Sequence, residues 1–160
     1  MLIELTEYNT WANRQITGFI LQAGLEIADK ELVSSFPTIR KTLYHIWDAQ
    51  VIWYARLNGM PLTTWPSKSF NDSLEEACKQ LIRHSEDFAA FAKEAEGTYS
   101  NIITYKTLDG KENSNTVSEI ILHCMNHGTY HRGQLITMLR KAGFQEVGST
   151  DLMRFYRQRL

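Results

Sequence analysis

The stretch ILHCMNHGTYHRGQL, residues 121–135, carries three of the chain's five histidines, His123, His127 and His131, at intervals of four. On an α-helix, residues four apart differ by about 40° in direction and about 6 Å in height. The three imidazoles therefore form one slanted stripe. Two neighbouring members, such as His127 and His131, can bind one ion, as the paired histidines of H-E-x-x-H zinc sites do. The outer two stand about 12 Å apart along the axis, too far for all three to reach one small ion easily. The spacing favours two ligands from this helix and a third from elsewhere. Ile120, Ile121, Cys124, Leu135, Met138 and Leu139 make the same segment apolar over much of its circumference. That is the pattern of a central helix in a helical core. Buried imidazoles without partners cost a few kcal/mol each, and a metal ion satisfies them.

Working outward, the helix holding the stripe starts near Asn115-Thr116, where Thr116 and Glu119 are spaced as a capping box. It runs to Ala142 and stops at Gly143. Three further long helices read clearly. The first spans about Ile3 to Ala23, with Leu5, Tyr8, Trp11, Ile16, Phe19 and Ile20 three or four apart and Gly24 as its stop. The second follows Pro37, repeats through Leu43, Ile46, Trp47, Val51, Tyr54 and Leu57, and ends at NGMP, residues 58–61. The third starts at Asp72-Ser73 with a second capping-box spacing, Ser73 and Glu76, and stops at Gly97. Between the third and fourth helices, TYSNIITYKTLDGKENSNT places β-branched and aromatic residues around Asp109-Gly110, a strong hairpin signal. A two-stranded hairpin is marginal alone, so it must pack on the helices or on a partner. A short last helix is expected over about Thr150 to Gln158. The fold class is all-α: a four-helix bundle with a small β-hairpin between helices 3 and 4 and a short C-terminal helix. Residues 1–160 read as a single domain. The long segment between the second and third helices permits a crossover.

The third ligand candidate is His45, in TLYHIWDAQ on the second helix. Two histidines on one helix and one on another make a natural bundle metal site. Three neutral imidazoles suit zinc, nickel, copper or iron(II) and leave positions for water or substrate. Asp48, one turn after His45, is a candidate outer hydrogen-bond partner or weak ligand. His84 has no clustered partner and reads as structural or exposed.

With a net charge of −1, no strong field draws the chain to nucleic acid or anionic lipid. The run RFYRQRL, with Arg154, Arg157 and Arg159, reads as a solvated tail or a helix C-terminus favoured by its dipole. Cys78 and Cys124 lie far apart without a C-x-x-C pattern and suit a reducing compartment; Cys124 is read as a small buried hydrophobe. The start, MLIELTEYNTWANRQ, lacks the basic region of a signal peptide. No apolar run reaches the length of a membrane span. A cytoplasmic protein is expected.

NTWANRQI, PTIRKTLYHIWDAQVIWYARLNG and above all HCMNHGTYHRGQL resemble the DinB-like family of metal-binding four-helix bundles, the DinB/YfiT superfamily. The resemblance covers nearly the whole chain. It implies a divalent metal, nickel or zinc, held by His45, His127 and His131. His123 matches a position where the family often has histidine without its being a regular ligand, so it is expected beside the site, as is Asp48. The resemblance also implies a homodimer. The better understood relatives are transferases and isomerases that use a low-molecular-weight thiol such as mycothiol or bacillithiol.

The other motif residues have physical readings. Gly133 is expected to let another helix approach. Arg132 is expected to pair with a carboxylate across the bundle or at a dimer contact, or to bind an anion. Gln134 is expected to anchor a neighbouring backbone. Trp53 and Trp65 are core residues or line a pocket mouth. Three functions then compete. One is a metal-dependent enzyme acting on a small-molecule substrate, either a thiol S-transferase or a hydrolase. The second is a non-catalytic metal-binding stress protein. The third, a DNA-binding factor, is disfavoured by the near-neutral charge and the lack of a basic recognition helix.

Overall fold

The computed structural model describes residues 1–60 and 62–159; Pro61 of the NGMP punctuation and the terminal Leu160 lie outside them. The helices are α1 (Leu2–Ala23), α2 (Leu25–Ala28), α3 (Ile39–Leu57), α4 (Leu74–Glu94), α5 (Val117–Ala142) and α6 (Leu152–Arg157), with strands β1 (Ile102–Lys106) and β2 (Glu112–Thr116) between α4 and α5. The all-α bundle with a hairpin and a short last helix is therefore as the sequence reads.

Local signals set most boundaries. Thr116 and Glu119 form the full capping box of α5, and Gly143 closes that helix with φ 114°. Ser73 caps α4 by accepting from the Glu76 backbone N–H. Helix α4 ends at Glu94, ahead of the expected stop at Gly97, whose φ of 95° serves the turn that follows. One element was not legible: a single helical turn, α2, follows Gly24 and buries Ala28.

Helix α1 packs on α4 and α5, and α3 packs on the same two, so α1 and α3 stand diagonally. The diagonal connections are α1 to α3 and α4 to α5. The long segment after α3, whose length permits a crossover, joins neighbouring helices and contains a 3-10 turn at Pro66–Ser69. The hairpin pairs Ile102 with Thr116 and Lys106 with Glu112. It packs on the bundle, with Tyr105 edge-on to Trp53 at 5.2 Å. In α6, Phe155 packs on Tyr8 and Trp11, and Arg159 reaches Glu4 and Glu7 at 4.0 and 3.6 Å. The arginine-rich end is thus a docked helix terminus with exposed ion pairs.

Two apolar clusters fill the bundle, one around Ile16, Leu43, Leu81 and Leu139, the other around Phe88, Ile120 and Ile121. A buried polar layer draws one or two residues from each long helix: Asn9, Asn13, Gln50, Ser85 and Arg132. Asn9 Nδ2 donates to Gln50 Oε1 at 2.6 Å, and Asn13 Nδ2 to Ser85 Oγ at 2.9 Å. Arg132, 1% exposed, donates to Asn9 Oδ1 at 2.6 Å, Asn13 Oδ1 at 3.0 Å and Thr129 Oγ1 at 3.0 Å. Its guanidinium lies 5.4 Å from the Tyr8 ring centroid. The expected carboxylate pairing is therefore corrected: amide oxygens and a π-face hold this charge. A buried arginine needs acceptors more than it needs a second desolvated charge.

The reading of Gly133 is also corrected. A Cβ there would meet nothing within 4 Å, and the residue is exposed. The position needing glycine is Gly128, where a Cβ would stand 2.8 Å from Arg132 Nη1 and 2.9 Å from Asn9 Oδ1. Among the described residues no helix is long and apolar enough to cross a membrane.

Candidate metal centre

His45 projects from α3, which Thr38 caps by accepting from the Lys41 N–H. His127 and His131 project from α5, whose rotation the Arg132 layer fixes one residue away. The three rings meet as a triangle, with centroid separations of 4.7 Å (His45–His127), 4.5 Å (His45–His131) and 4.4 Å (His127–His131). The Nε2 atoms of His45 and His127 are 2.9 Å apart. One ring nitrogen from each of the three lies within 4.8 Å of the others, a grouping able to hold a metal ion.

The surroundings favour neutral imidazoles. Burial, then the neighbouring His131, pushes His45 down to about 4. Burial, then His131, His45 and His123, pushes His127 down to about 3. Burial also lowers His131, partly opposed by its hydrogen bond to Gln134. Neutral rings keep the lone pairs that coordination requires. Three crowded imidazoles with free lone pairs are a donor set that fits a borderline divalent ion.

Outer contacts orient the rings. His131 Nδ1 lies 2.7 Å from Gln134 Oε1, which accepts its proton and leaves Nε2 as the lone-pair nitrogen. Gln134 Nε2 in turn donates to Ser35 Oγ at 3.1 Å. The expectation that Gln134 holds a backbone is thus corrected, since it bridges a histidine to the loop before α3. Phe36 from that loop packs on the His45 ring at 4.3 Å. The sequence does not mark Phe36 as a site contact, whereas Gln134 stands at i+3 from His131, a spacing at which helix side chains meet.

His123 and Asp48 stand beside the cluster without entering it. His123 is 5.9 Å from the His127 ring and packs on Trp53 at 5.0 Å. The Asp48 carboxylate turns to Ser67, accepting from its N–H at 2.8 Å and its Oγ–H at 2.6 Å. It thus ties the 3-10 turn to α3, and this pairing takes the place of the hydrogen bond to His45 expected from chain proximity. His84, 6.5 Å from the Trp47 ring, lies apart from the cluster as expected.

A cavity of about 420 Å³ opens beside His45. Phe36, Tyr44 and Trp65 supply apolar walls, and Asp48 and Lys68 supply charge. Trp65 therefore does line a pocket mouth. Neither cysteine is suited to be a nucleophile here: Cys78 is buried with its thiol pushed up to about 12, and burial holds the fully enclosed Cys124 thiol well above its ordinary value.

The model of the DinB family matches residues 1–159. The chain is similar to Protein DinB of Bacillus subtilis (strain 168), with 32% identity over 148 residues that cover 88% of this chain and 86% of that protein.

Proposed function

The chain belongs to the DinB family, and from that premise we propose that it is a divalent-metal-dependent enzyme whose metal ligands are His45, His127 and His131. The observation that carries the reading is the pair of Nε2 atoms from two helices, 2.9 Å apart, beside a 420 Å³ cavity. Nickel or zinc suits three neutral imidazoles with further positions left for exogenous ligands. Such an ion, when bound, is a Lewis acid that favours the thiolate of a small thiol or the hydroxide of water.

The protein's own groups do the rest. Gln134 holds the His131 proton on Nδ1, so the ring presents Nε2 to the site. Phe36 fixes the His45 ring plane and excludes water from one side. Tyr44 and Trp65 accept the apolar part of a small electrophilic substrate, and the exposed ammonium groups of Lys41 and Lys68 favour an anionic one. With both cysteines buried, the attacking sulfur comes from a low-molecular-weight thiol cosubstrate. Its sulfur bonds to the electrophilic carbon, the displaced group leaves with the bonding pair, and the thiol proton passes to solvent. Hydrolysis is the same scheme with water in place of the thiol. The active assembly is proposed to be a homodimer.

Turnover of an electrophilic probe such as a chlorodinitrobenzene, measured with several small thiols and with water, tests this. Metal-loaded wild-type protein should turn over and His127→Ala should not. Equal rates in the two proteins would remove catalysis from the account and leave a metal-binding protein.

A further inference from the structure

A second cavity, of about 610 Å³, lies where the end of α3 meets the hairpin, with Arg56, Tyr105, Leu62, Leu108, Lys106 and Glu112 among its walls. Its volume is in the range of small-molecule sites. It is separate from the histidine cluster: Arg56 stands eleven residues after His45 on the same helix, about 16 Å along its axis.

Arg56 is the unusual member. Its guanidinium lies 4.3 Å from the Trp53 ring centroid and 4.7 Å from that of Tyr105. The two rings stand edge to face, with an interplanar angle of 79°, and form a corner that holds it. Among the described residues, no carboxylate forms a salt bridge with it and no side chain or backbone oxygen accepts its protons. Partial burial disfavours its charge, and the groups that offset this are only Tyr105 and Cys124. The one acidic side chain on the wall, Glu112, sits directly across the ladder from Lys106, which balances it. A planar guanidinium held against two aromatic rings, with no acceptor for its donors among the described residues and apolar walls beside it, is pre-ordered for a planar oxyanion. Fixing the side chain in advance removes the entropy that an arginine loses when it binds.

We propose that this cavity is a binding site for a small organic carboxylate, its head paired with Arg56 and its apolar body lying against Tyr105, Leu62 and Leu108. The site is independent of the metal reading. The carboxylate accepts two N–H bonds from the guanidinium, while the hairpin supplies the wall that covers the ligand's body. The exposed leucine Leu108, at 39%, becomes buried by the ligand.

The test uses two probes, 4-phenylbutyrate and its uncharged amide, titrated calorimetrically into the full chain. The acid should bind at least about tenfold more tightly than the amide, the discrimination expected of a charged bidentate pair. Arg56→Gln should bring the two within about twofold of each other. Leu108→Trp, at an exposed position, should crowd the wall against which the ligand's apolar body lies and weaken both. His127→Ala should bind the acid as the wild type does, which separates this site from carboxylate binding at the histidine cluster. The proposal is overturned by absence of saturable binding, by an acid preference that survives Arg56→Gln, or by loss of binding in His127→Ala. A chain dimer dispersed by Leu108→Trp would assign the face to a second copy instead and overturn it as well.

Discussion

The Nε2 atoms of His45 and His127 lie 2.9 Å apart although 82 residues separate them in the chain. Two donors on different helices approach this closely only because α3 and α5 are neighbours along the site. Burial is the main cause of their lowered basicity, with His131 adding to it at both rings and His45 adding to it at His127. Removing either ring should therefore abolish tight metal binding. His127→Ala or His45→Ala should lower nickel or zinc affinity by more than about 100-fold, beyond the 10–100-fold typical of outer partners. Competitive titration against a chelator measures this. Affinity unchanged in both variants would contradict the ligand assignment.

Gln134 acts through His131. Gln134→Ala frees the imidazole to rotate and to place its proton on either nitrogen, so metal affinity should fall by about 10–100-fold with stoichiometry unchanged. Gln134→Glu keeps an acceptor at the same place and should restore most of the affinity. The long-range nitrogen spectrum of His131 in the metal-free protein should show the Nδ1–H form in wild type and a mixture in Gln134→Ala. One spectrum for both would dismiss the orienting role.

Acid should destabilise the metal-free protein through the same rings. His45 and His127 are pushed from 6.5 to about 4 and about 3. Below pH 6.5 the unfolded chain takes up protons that the folded chain refuses. Stability contributed by the neutral rings is therefore lost as pH falls from 6.5 towards the folded values, and the loss levels off below them. The fall across that window should be up to a few kcal/mol. Melting of chelator-treated wild type and of the His45→Gln/His127→Gln double variant between neutral pH and about pH 4 measures it. The wild type should show the steeper decline, and parallel curves would refute the electrostatic picture.

The two glycines of α5 make opposite predictions. At Gly128 a methyl group would press on Arg132 Nη1 and Asn9 Oδ1. Gly128→Ala should therefore cost about 1–3 kcal/mol, the usual penalty for overpacking. At Gly133 a methyl group meets open space. Gly133→Ala should stabilise by up to about 1 kcal/mol through helix propensity. Denaturant melts of the two variants read the contrast directly, and the reverse order would show that the polar layer is not rigid.

Much of the fold was legible in the sequence, for local reasons. The Thr116–Glu119 box and Gly143 bracket α5 by backbone chemistry that needs no tertiary information. Asp109-Gly110 marked the hairpin because Gly110 supplies a φ of 84°. The four-residue spacing of the histidines limited α5 to two neighbouring ligands, and the family resemblance, not the spacing, chose His127 and His131 over His123 and His127. What sequence distance could not supply was direction across the bundle. Asp48 is close to His45 in the chain, yet its side chain turns to Ser67 because the 3-10 turn offers two donors there. Gly128 and Gly133 look alike in a string of letters, but they sit about 140° apart around the helix, and only packing tells which faces Arg132. The charge of Arg132 pointed to a carboxylate, whereas Asn9 and Asn13, more than a hundred residues away, supply its oxygens.

X-ray absorption of the nickel- or zinc-loaded protein tests the central claim most directly, since it counts imidazole ligands on the ion itself. One ion per chain with three imidazole nitrogens, falling to two in His45→Ala and again in His127→Ala, is the predicted result. A sphere whose imidazole count is the same in wild type and both variants would contradict it.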